Sequence, residues 1–335
     1  MDKPLVSIIT PCYNHEKYLD DYFKSILNQT YDNIELIIID DASKDGSKKV
    51  IRSYENELKN RFVNFKFIDH KKNIGLVKNC NLGLELSKGK YIAIFASDDI
   101  MLKNRIEINV EFLENNDYGM AYSDGYKVKE NFSYCDINNF DNKFLDFLVK
   151  EKNQCTGFVA DKLLENNFIP APTVMLKREV FDKVGTYDER LSFEDYEMWL
   201  RIAEKYKIGF INEPLVFYRQ SDYSMTGLLN KQQKYKNLIS FKKTIEKHIE
   251  SSTYEYNDIA KKKAKLNLYR QMIGYGFIYE ERNLLNKYFI KLVRLNGICK
   301  VFNDYKEYIK FISIKIPFLY RYIIKKRYNK IYKIL

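Results

Sequence analysis

The chain has 335 residues, 45% of them hydrophobic and 30% charged, which suits one large domain or two smaller ones with a sizeable core. It has no run of about 18 apolar residues and no signal-peptide pattern, so we expect a cytoplasmic protein without a transmembrane helix. Five scattered cysteines and three unpaired histidines argue against a disulfide framework and a zinc site. Any metal is therefore expected to be an oxygen-bound ion, Mg²⁺ or Mn²⁺.

Apolar periodicity predicts alternating strands and helices over the first hundred residues. The predicted elements are a strand at 5–10, a helix at 17–29, a strand at 34–39, a helix at 47–59, a strand at 65–68, a helix around 77–84 and a strand at 91–95. This alternation predicts an α/β fold, a mostly parallel sheet with helices on both faces. The Asn-rich stretch 127–168 gives no clear pattern, and from about residue 228 the sequence predicts a tail of four or five helices.

The tail differs from the rest of the chain in charge. Residues 226–335 carry 25 Lys and Arg against 8 Asp and Glu, a balance of +17, so the overall charge of +11 leaves −6 for the first 225 residues. An acidic front part and a basic back part predict different roles for the two.

Polar loops follow three of the predicted strands, at 11–14, 40–43 and 96–99. In an open α/β sheet, ligands bind beyond the carboxyl ends of the strands, where the winding direction reverses. We therefore expect these loops to converge on one ligand site.

Two pairs of aspartates stand in these loops, Asp40-Asp41 and Asp98-Asp99. Adjacent carboxylates raise each other's pKa, and a divalent ion removes that penalty. The pattern favours a metal ion with a diphosphate at Asp98-Asp99, although a solvated loop is an equally good interpretation of that motif alone. Asp41 is placed to accept a hydrogen bond from a base or a ribose. A calcium loop starting at Asp41 is excluded, because its twelfth position is Arg52 rather than Glu.

Two motifs between residues 192 and 219 contain candidate catalytic or binding residues. Asp195 stands at the start of a predicted helix and is a candidate general base, although Ser192 and Asp195 also fit a capping box. Arg219 ends an apolar strand, where its guanidinium either binds diphosphate oxygens or makes a surface ion pair.

The ordered series of motifs over about residues 4–226 resembles glycosyltransferase family 2. It comprises VSIITPCYN at 6–14, DDASKDGS at 40–47, NIG at 73–75, KNCNLG at 78–83, GKYI at 89–92, SDD at 97–99, GTYDE at 185–189, EDYEMWLR at 194–201 and YR at 218–219. Each piece alone is weak, but the order is specific.

The resemblance implies a GT-A fold and an inverting transfer of a sugar from a nucleotide donor. It implies that Asp98 and Asp99 bind the metal, with Asp99 the better candidate, and that Asp195 is the catalytic base with Glu194 beside it. The remaining residues implied to bind the nucleotide are Pro11, Tyr13, Asn14, Asp41, Lys78 and Arg219.

Three departures from the family pattern weaken parts of this assignment. Many members have an Asp where this chain has Ala96, and an Arg where it has Lys78. The His that usually follows Tyr-Arg is replaced by Gln220-Ser221. These changes put the metal shell and the phosphate contacts in doubt.

The prediction is therefore a GT-A catalytic domain over 1–226, with a nucleotide-binding half at 1–100 and an acceptor half at 101–226, followed by a basic helical region at 227–335. The expected donor is a UDP-sugar and the expected acceptor a saccharide or lipid-linked saccharide in bacterial surface polysaccharide synthesis. No nucleic-acid partner is expected. Residues 310–335 carry eight Lys and Arg without an acid, so they either pack on the catalytic domain or bind the anionic inner face of the plasma membrane.

Other functions remain open at the level of the sequence. A sugar nucleotidyltransferase would share the sheet and metal but needs a glycine-rich first loop, which Pro11-Cys12-Tyr13-Asn14 is not. A non-catalytic nucleotide- or membrane-binding protein is the third alternative. A dinucleotide-dependent oxidoreductase is disfavoured, because no GxGxxG follows the first strand.

Overall fold

The computed structural model of the chain describes residues 3–139, 147–149, 153–220 and 231–297. The chain divides into two compact units, 1–261 and 262–335. The predicted division at 226/227 separated the basic helices from the sheet, whereas the first compact unit also includes the helix that follows residue 230.

The first unit is built on one eight-stranded sheet. Its strands are β1 (Val6–Cys12), β2 (Ile34–Asp40), β3 (Asn64–Asp69), β4 (Tyr91–Ile94), β5 (Ile100–Met101), β6 (Met120–Lys129), β7 (Met175–Lys177) and β8 (Ile208–Gln220). Their order in the sheet is β3-β2-β1-β4-β7-β6-β8-β5. The first four strands of this order are parallel, and β6 is parallel to β8, while β7 and β5 run antiparallel to their neighbours.

The helices of the first unit are α1 (Glu16–Leu27), α2 (Ser47–Ser53), α3 (Glu55–Arg61), α4 (Leu76–Leu86), α5 (Arg105–Glu114), α6 (Ala160–Glu165), α7 (Val180–Val184), α8 (Asp195–Ala203) and α9 (Lys231–Glu250). Helix α10 (Asp258–Ile278) crosses the division between the units, and α11 (Arg282–Asn296) lies in the second. The single helix predicted at 47–59 is two helices that meet at Tyr54. The Ser53 hydroxyl donates to the carbonyl of Val50, a local bond that competes with a continuous helix.

The parallel strands β1 and β2 are buried along their whole length. Helix α1 covers one face through a stripe of apolar side chains, since Leu19, Tyr22, Phe23 and Ile26 are all fully buried. Strands covered on both faces need continuous apolar runs, which explains why these two were predicted from the sequence with nearly the correct bounds.

Gly83 allows α4 to approach β1 closely. A Cβ atom at this position would lie closer than 3.0 Å to the side chain of Ile9, which is itself fully buried in β1. We expect Gly83→Ala to lower the free energy of unfolding by about 1–3 kcal/mol, because overpacking a buried contact forces neighbouring groups to move. Urea unfolding measures the change. Glu85→Ala, at an exposed position of the same helix, is the control and should change stability by less than about 0.5 kcal/mol; equal effects would contradict the close packing.

A buried ion cluster joins α8 to α9. The Glu197 carboxylate, 1% exposed, accepts from Arg201 Nε at 2.9 Å and from Lys247 Nζ, and it lies 3.8 Å from His248 Nε2. His248 Nδ1 contacts the Glu204 carboxylate at 2.5 Å. Burial alone would raise the pKa of Glu197, but His248, Arg201 and Lys247 lower it to about 2. Burial would likewise lower the pKa of His248, but the two glutamates raise it.

This cluster predicts a loss of stability in acid. Because the folded-state pKa of Glu197 lies below its ordinary value of 4.5, the ionised carboxylate stabilises the fold above that pH, and the stabilisation is lost as the pH falls toward 2. We expect the contribution of Glu197 to the free energy of unfolding to fall by about 2 kcal/mol between about pH 4.5 and pH 3. Unfolding free energies of the wild type and of Glu197→Gln, measured over this range, should approach each other as the pH drops. A constant difference between them would contradict the prediction.

Within the part of the chain that the structure describes, no helix has both the length and the apolar character needed to cross a membrane. The basic segment 310–335, predicted either to pack on the catalytic domain or to bind a membrane surface, lies outside the described residues.

Candidate active site

The site lies where the winding direction of the sheet reverses, between β1 and β4. Two loops meet there, because His15 Nδ1 lies 2.8 Å from Ser97 Oγ and His15 Nε2 lies 3.9 Å from Asp98 Oδ2. The convergence expected from the sequence is therefore present at this edge of the sheet.

The loop after β1 is also tied to the loop after β2. Asn14 has a φ of 56°, a left-handed conformation that Asn tolerates better than most residues. Its N–H donates to Ser43 Oγ at 2.9 Å, and its side-chain oxygen accepts from the N–H of Lys44 at 2.8 Å. Asn14 thus shapes the loop and lies exposed at its surface, while Pro11 is buried within β1.

Ser47 takes part in the same contact. Ser47 is the first residue of α2, and Gly46 occupies the N-cap position. The Ser47 hydroxyl accepts the N–H of His15 at 2.9 Å and donates to Asp45. Ser47 therefore holds the two loops together.

Asp41 fixes the start of α4. Its two carboxylate oxygens accept the backbone N–H groups of Ile74 at 2.7 Å and Gly75 at 2.9 Å, and the side chain is buried. Gly75 has a φ of 94°, which favours glycine. Two apolar side chains lie exposed beside this contact, Tyr13 (40%) and Ile74 (37%), one in each neighbouring loop. These two side chains are exposed apolar groups next to polar ones.

The two aspartates after β4 have different environments. Asp99 is 3% exposed, and its Oδ1 accepts the backbone N–H of Arg219 at 2.9 Å. Burial and the charge of Asp98 raise the pKa of Asp99 well above its ordinary value. The hydrogen bond from the Arg219 N–H lowers it in part. The Asp98 side chain is 19% exposed and faces His15. Asp98 is therefore the more accessible carboxylate of the pair.

Arg219 is engaged within the protein. Its guanidinium is 3% exposed and donates from Nε to the Asp98 carbonyl at 2.9 Å and from Nη2 to the Asp21 carboxylate at 3.1 Å. Nη1 donates to the carbonyls of Glu130 and Phe132. The side chain joins three segments of the fold behind the Asp98-Asp99 loop, and these donors are occupied by protein acceptors. Lys78, by contrast, is exposed in the first turn of α4.

The second acidic pair, Glu194 and Asp195, stands at the start of α8 and is half-buried. Burial raises the pKa of Asp195, although the N–H of Tyr196 and the side chain of Asn167 favour its charged form. Burial and the charge of Asp195 raise the pKa of Glu194 to about 8. Burial thus favours the neutral form of each carboxyl, and the two groups titrate as a pair.

The capping box that competed with a catalytic interpretation is not formed. No side-chain cap bond is present at the first residues of α8, and the Ser192 hydroxyl donates to Asn237 of α9 instead. The carboxylate of Asp195 accepts the adjacent N–H of Tyr196 at 2.6 Å, and the side chain of Asn167 is a second hydrogen-bonding partner.

Helix α4 connects the two acidic regions. Its first residues follow the loop held by Asp41, and one turn later Asn81 exchanges two hydrogen bonds with the backbone of Tyr187, at 2.9 and 3.0 Å. Cys80 is buried beside Glu194, whose charge raises the pKa of the thiol together with burial. The loop held by Asp41 therefore lies at the start of α4, and the acidic pair lies beside the middle of the same helix.

Arg105 makes a second connection, from the Asp99 side. The arginine is fully buried, and its Nη2 donates to the carbonyls of Pro172 at 2.8 Å and Val174 at 3.2 Å. Burial lowers its pKa to about 9, while the charge of Asp99 opposes the shift. Arg105 therefore holds residues 172–174. This segment follows Asn167, whose side chain lies beside Asp195.

Comparison with known proteins decides the family. The family model described as Glycosyl transferase family 2 matches residues 7–185, more than half of the chain. The chain belongs to glycosyltransferase family 2. The region matched ends before α8, so it includes the Asp41 and Asp98-Asp99 loops but not the acidic pair Glu194-Asp195.

Several curated relatives of this glycosyltransferase cover most of its first unit. An uncharacterized glycosyltransferase of Methanocaldococcus jannaschii, MJ1057, is 34% identical over 65% of this chain and 72% of its own. The putative teichuronic acid biosynthesis glycosyltransferase TuaG of Bacillus subtilis is 29% identical over 79% of this chain and 98% of its own.

Solved structures confirm the GT-A fold expected from the sequence. TarS residues 1–349 of S. aureus in complex with UDP-GlcNAc match with a TM-score of 0.63 and 14% identity, over 87% of this chain and 81% of that one. The mannosyltransferase PcManGT of Pyrobaculum calidifontis, in complex with GDP-Man and Mn²⁺, matches with a TM-score of 0.58 and 14% identity, over 90% of this chain and 76% of that one. At such identities the likeness establishes the fold alone.

The Asp98-Asp99 loop of this glycosyltransferase fits a divalent ion as a source of some of its ligands, not as a complete binding cage. Among the described residues, no three His, Cys, Asp or Glu side chains are grouped to hold a metal. Mg²⁺-type ions in proteins are commonly held by one or two carboxylates together with substrate phosphates and water. Burial, and then the charge of Asp98, raise the pKa of Asp99, and a cation bound beside the pair would oppose that shift.

Sequence reasoning missed His15 and Arg105. His15 directly follows the VSIITPCYN motif at the end of β1. Because the loop after the first strand was already expected to line the site, the position of His15 could have indicated its role. Arg105 gave no signal, because an arginine at the start of a helix is ordinarily exposed.

Proposed function

We propose that this glycosyltransferase moves a sugar from a nucleoside diphosphate donor, with UDP as the nucleotide, to a hydroxyl of a saccharide or lipid-linked saccharide, with inversion at the anomeric carbon. One observation carries the proposal: the acidic pair Glu194-Asp195 stands beside α4, whose first residues follow the loop that Asp41 fixes. A general base and a nucleotide site that both contact the same helix suit a direct displacement.

In this mechanism Asp195 takes the proton of the acceptor hydroxyl. The acceptor oxygen forms the new bond to the anomeric carbon as the bond from that carbon to the donor diphosphate breaks, and the diphosphate leaves with the electron pair. Because attack and departure occur on opposite faces of the sugar, the configuration inverts. Glu194 keeps its proton, since its pKa of about 8 lies above neutral pH, and so does not compete for the acceptor proton.

The donor site is proposed to consist of three parts. Tyr13 and Ile74 offer apolar surface to the base next to the loops shaped by Asn14 and Asp41. Lys78 is exposed and free to reach the diphosphate. A divalent ion bound at Asp98 would stabilise the charge that develops on the leaving diphosphate.

Burial leads us to exchange the roles of the two aspartates that the resemblance suggested. We propose Asp98 as the metal ligand, because Asp99 is buried and already bonded to β8. Arg219 is proposed to position the Asp98-Asp99 loop through the Asp98 carbonyl rather than to bind phosphate itself.

We propose that the reaction is a step in polysaccharide synthesis. The relative TuaG is named for teichuronic acid biosynthesis and is covered almost completely by this chain, which supports a glycan acceptor. We retain from the sequence the proposal that residues 310–335 bring the enzyme to an anionic membrane surface where a lipid-linked acceptor lies. Co-sedimentation with anionic vesicles tests that part, and salt-insensitive or absent binding would refute it.

The test of the function is a screen of UDP-, GDP- and dTDP-sugars with MnCl₂ or MgCl₂. We expect one UDP-sugar to raise the melting temperature and to release UDP in the presence of the metal, since a donor at about 100 times its Kd stabilises the fold by about 2.7 kcal/mol. If no nucleotide sugar is bound or turned over with either metal, the chain is a non-catalytic member of its family.

A further inference from the structure

We propose that α9 is part of the active site as a positioning element. The helix begins after the last strand of the sheet and lies well beyond the residues 7–185 that match the family model. The inference rests on the proposed role of Asp195 as the base, and it assigns to Ser240 the task of holding the backbone that carries that base.

The contact is made just before the acidic pair. The backbone N–H of Ser192 donates to Ser240 Oγ at 2.9 Å. The Ser192 hydroxyl donates to the side-chain oxygen of Asn237 at 2.8 Å and lies 3.0 Å from Ser240 Oγ. Ser240 is buried, so water does not replace these bonds easily. Ser192 is two residues before Glu194.

A second contact lies just after the pair. The ring of Phe241 stacks on that of Tyr196, with centroids 5.7 Å apart and planes inclined by 16°. The Tyr196 hydroxyl in turn donates to the carbonyls of Leu163 and Leu164. Residues 240 and 241 of α9 therefore hold the chain on both sides of Glu194 and Asp195.

The rest of α9 keeps the helix in place. Lys247 and His248 reach the carboxylates of Glu197 and Glu204, which lie further along α8. Because α8 is fixed at its start through Ser192 and Tyr196 and along its length through these ion pairs, the carboxylate of Asp195 has little freedom to move. Precise placement of a base is what a displacement reaction requires, since a misplacement of about 1 Å can cost about 100-fold in rate.

The test compares Ser240→Ala with Thr244→Val on the same helix. Thr244 is also buried, one turn away, and its hydroxyl has no hydrogen-bond partner within the ranges that the structure describes. Both variants remove one buried hydroxyl, but only Ser240→Ala removes the bond to Ser192. Ser240→Thr restores a hydroxyl, and Ser192→Ala breaks the contact from the other side without changing α9.

Two measurements follow. Hydrogen–deuterium exchange of the amides of residues 192–196 should become faster in Ser240→Ala and Ser192→Ala but not in Thr244→Val. The rate of UDP release from the UDP-sugar that the donor screen selects should fall about 10- to 100-fold in kcat with an unchanged donor KM, and Ser240→Thr should recover most of it.

The outcomes separate this inference from the proposed function. If Asp195→Asn abolishes turnover while Ser240→Ala and Ser192→Ala keep the wild-type kcat and exchange, the positioning role is refuted and the base remains. If Asp195→Asn stays active, the proposed base is wrong, and the exchange data alone then decide whether α9 holds this backbone. Equal losses in Ser240→Ala and Thr244→Val would show a general effect on stability and would also refute the inference.

Discussion

Replacing Asp195 by Asn is expected to lower the transfer rate by about 10²- to 10⁴-fold, the contribution typical of a positioned general base. The amide is nearly isosteric and can still accept the N–H of Tyr196, the bond that the Asp195 carboxylate makes, so the fold should be kept. The donor KM should stay near the wild-type value, because Asp195 is not among the residues proposed to bind the donor. Steady-state kinetics and a melting curve measure both effects.

The pH dependence gives an independent check on the same residue. Because burial raises the pKa of Asp195, the rate should fall on the acidic side at a higher pH than for an exposed aspartate. Asp182→Asn, an exposed residue of α7, makes the same change of charge and should leave both the rate and this profile unaltered. An active Asp195→Asn variant would remove this residue from the mechanism.

The second large effect is expected at Asp98. We expect Asp98→Asn to weaken Mn²⁺-dependent binding of UDP by at least about 100-fold, since even residues outside a metal's own ligand set cost about 10- to 100-fold in affinity when replaced. Titration calorimetry of UDP with and without MnCl₂ measures the metal-dependent part directly.

Asp99→Asn is the matched comparison for this prediction. Its side-chain oxygen can still accept the N–H of Arg219, so we expect it to fold and to retain metal-dependent binding. The opposite result, with Asp99→Asn inactive in binding and Asp98→Asn unaffected, would return the metal to Asp99 as the family resemblance suggested.

The contrast between the two aspartates shows where sequence reasoning stops. That both stand at the carboxyl edge of the sheet follows from the apolar run before them. Which one is buried depends on β8, whose Arg219 lies 120 positions further along the chain and supplies the hydrogen bond to Asp99. A pattern within a short window contains no information on such a partner.

Arg219 illustrates the same limit from the other side. Its position after an apolar strand indicated a functional cation, yet its hydrogen bonds go to carbonyl oxygens of residues 98, 130 and 132 and to Asp21. Carbonyl acceptors are present at every residue and leave no trace in the sequence. The strands and helices of the first hundred residues were predicted in the right order because their apolar periods are local properties.

The basic helices were predicted as a separate region because their composition changes sharply after residue 226. Composition, however, cannot show that Ser240 bonds to Ser192, since both are common polar residues. The described helices α9, α10 and α11 agree with the expected helical character, while the remaining part of the predicted tail lies outside the described residues.

The strand order of the sheet has a consequence for how the protein is made. Strands β1 to β4 are contiguous and can pair soon after they leave the ribosome, whereas β5 pairs only with β8 in the described sheet. The turn that carries Asp98 is therefore locked only after some 120 further residues have been translated. The edge of β4 that pairs with β7 stays open in the nascent chain until residues 175–177 have been made, and the loop that carries Asp98 closes last.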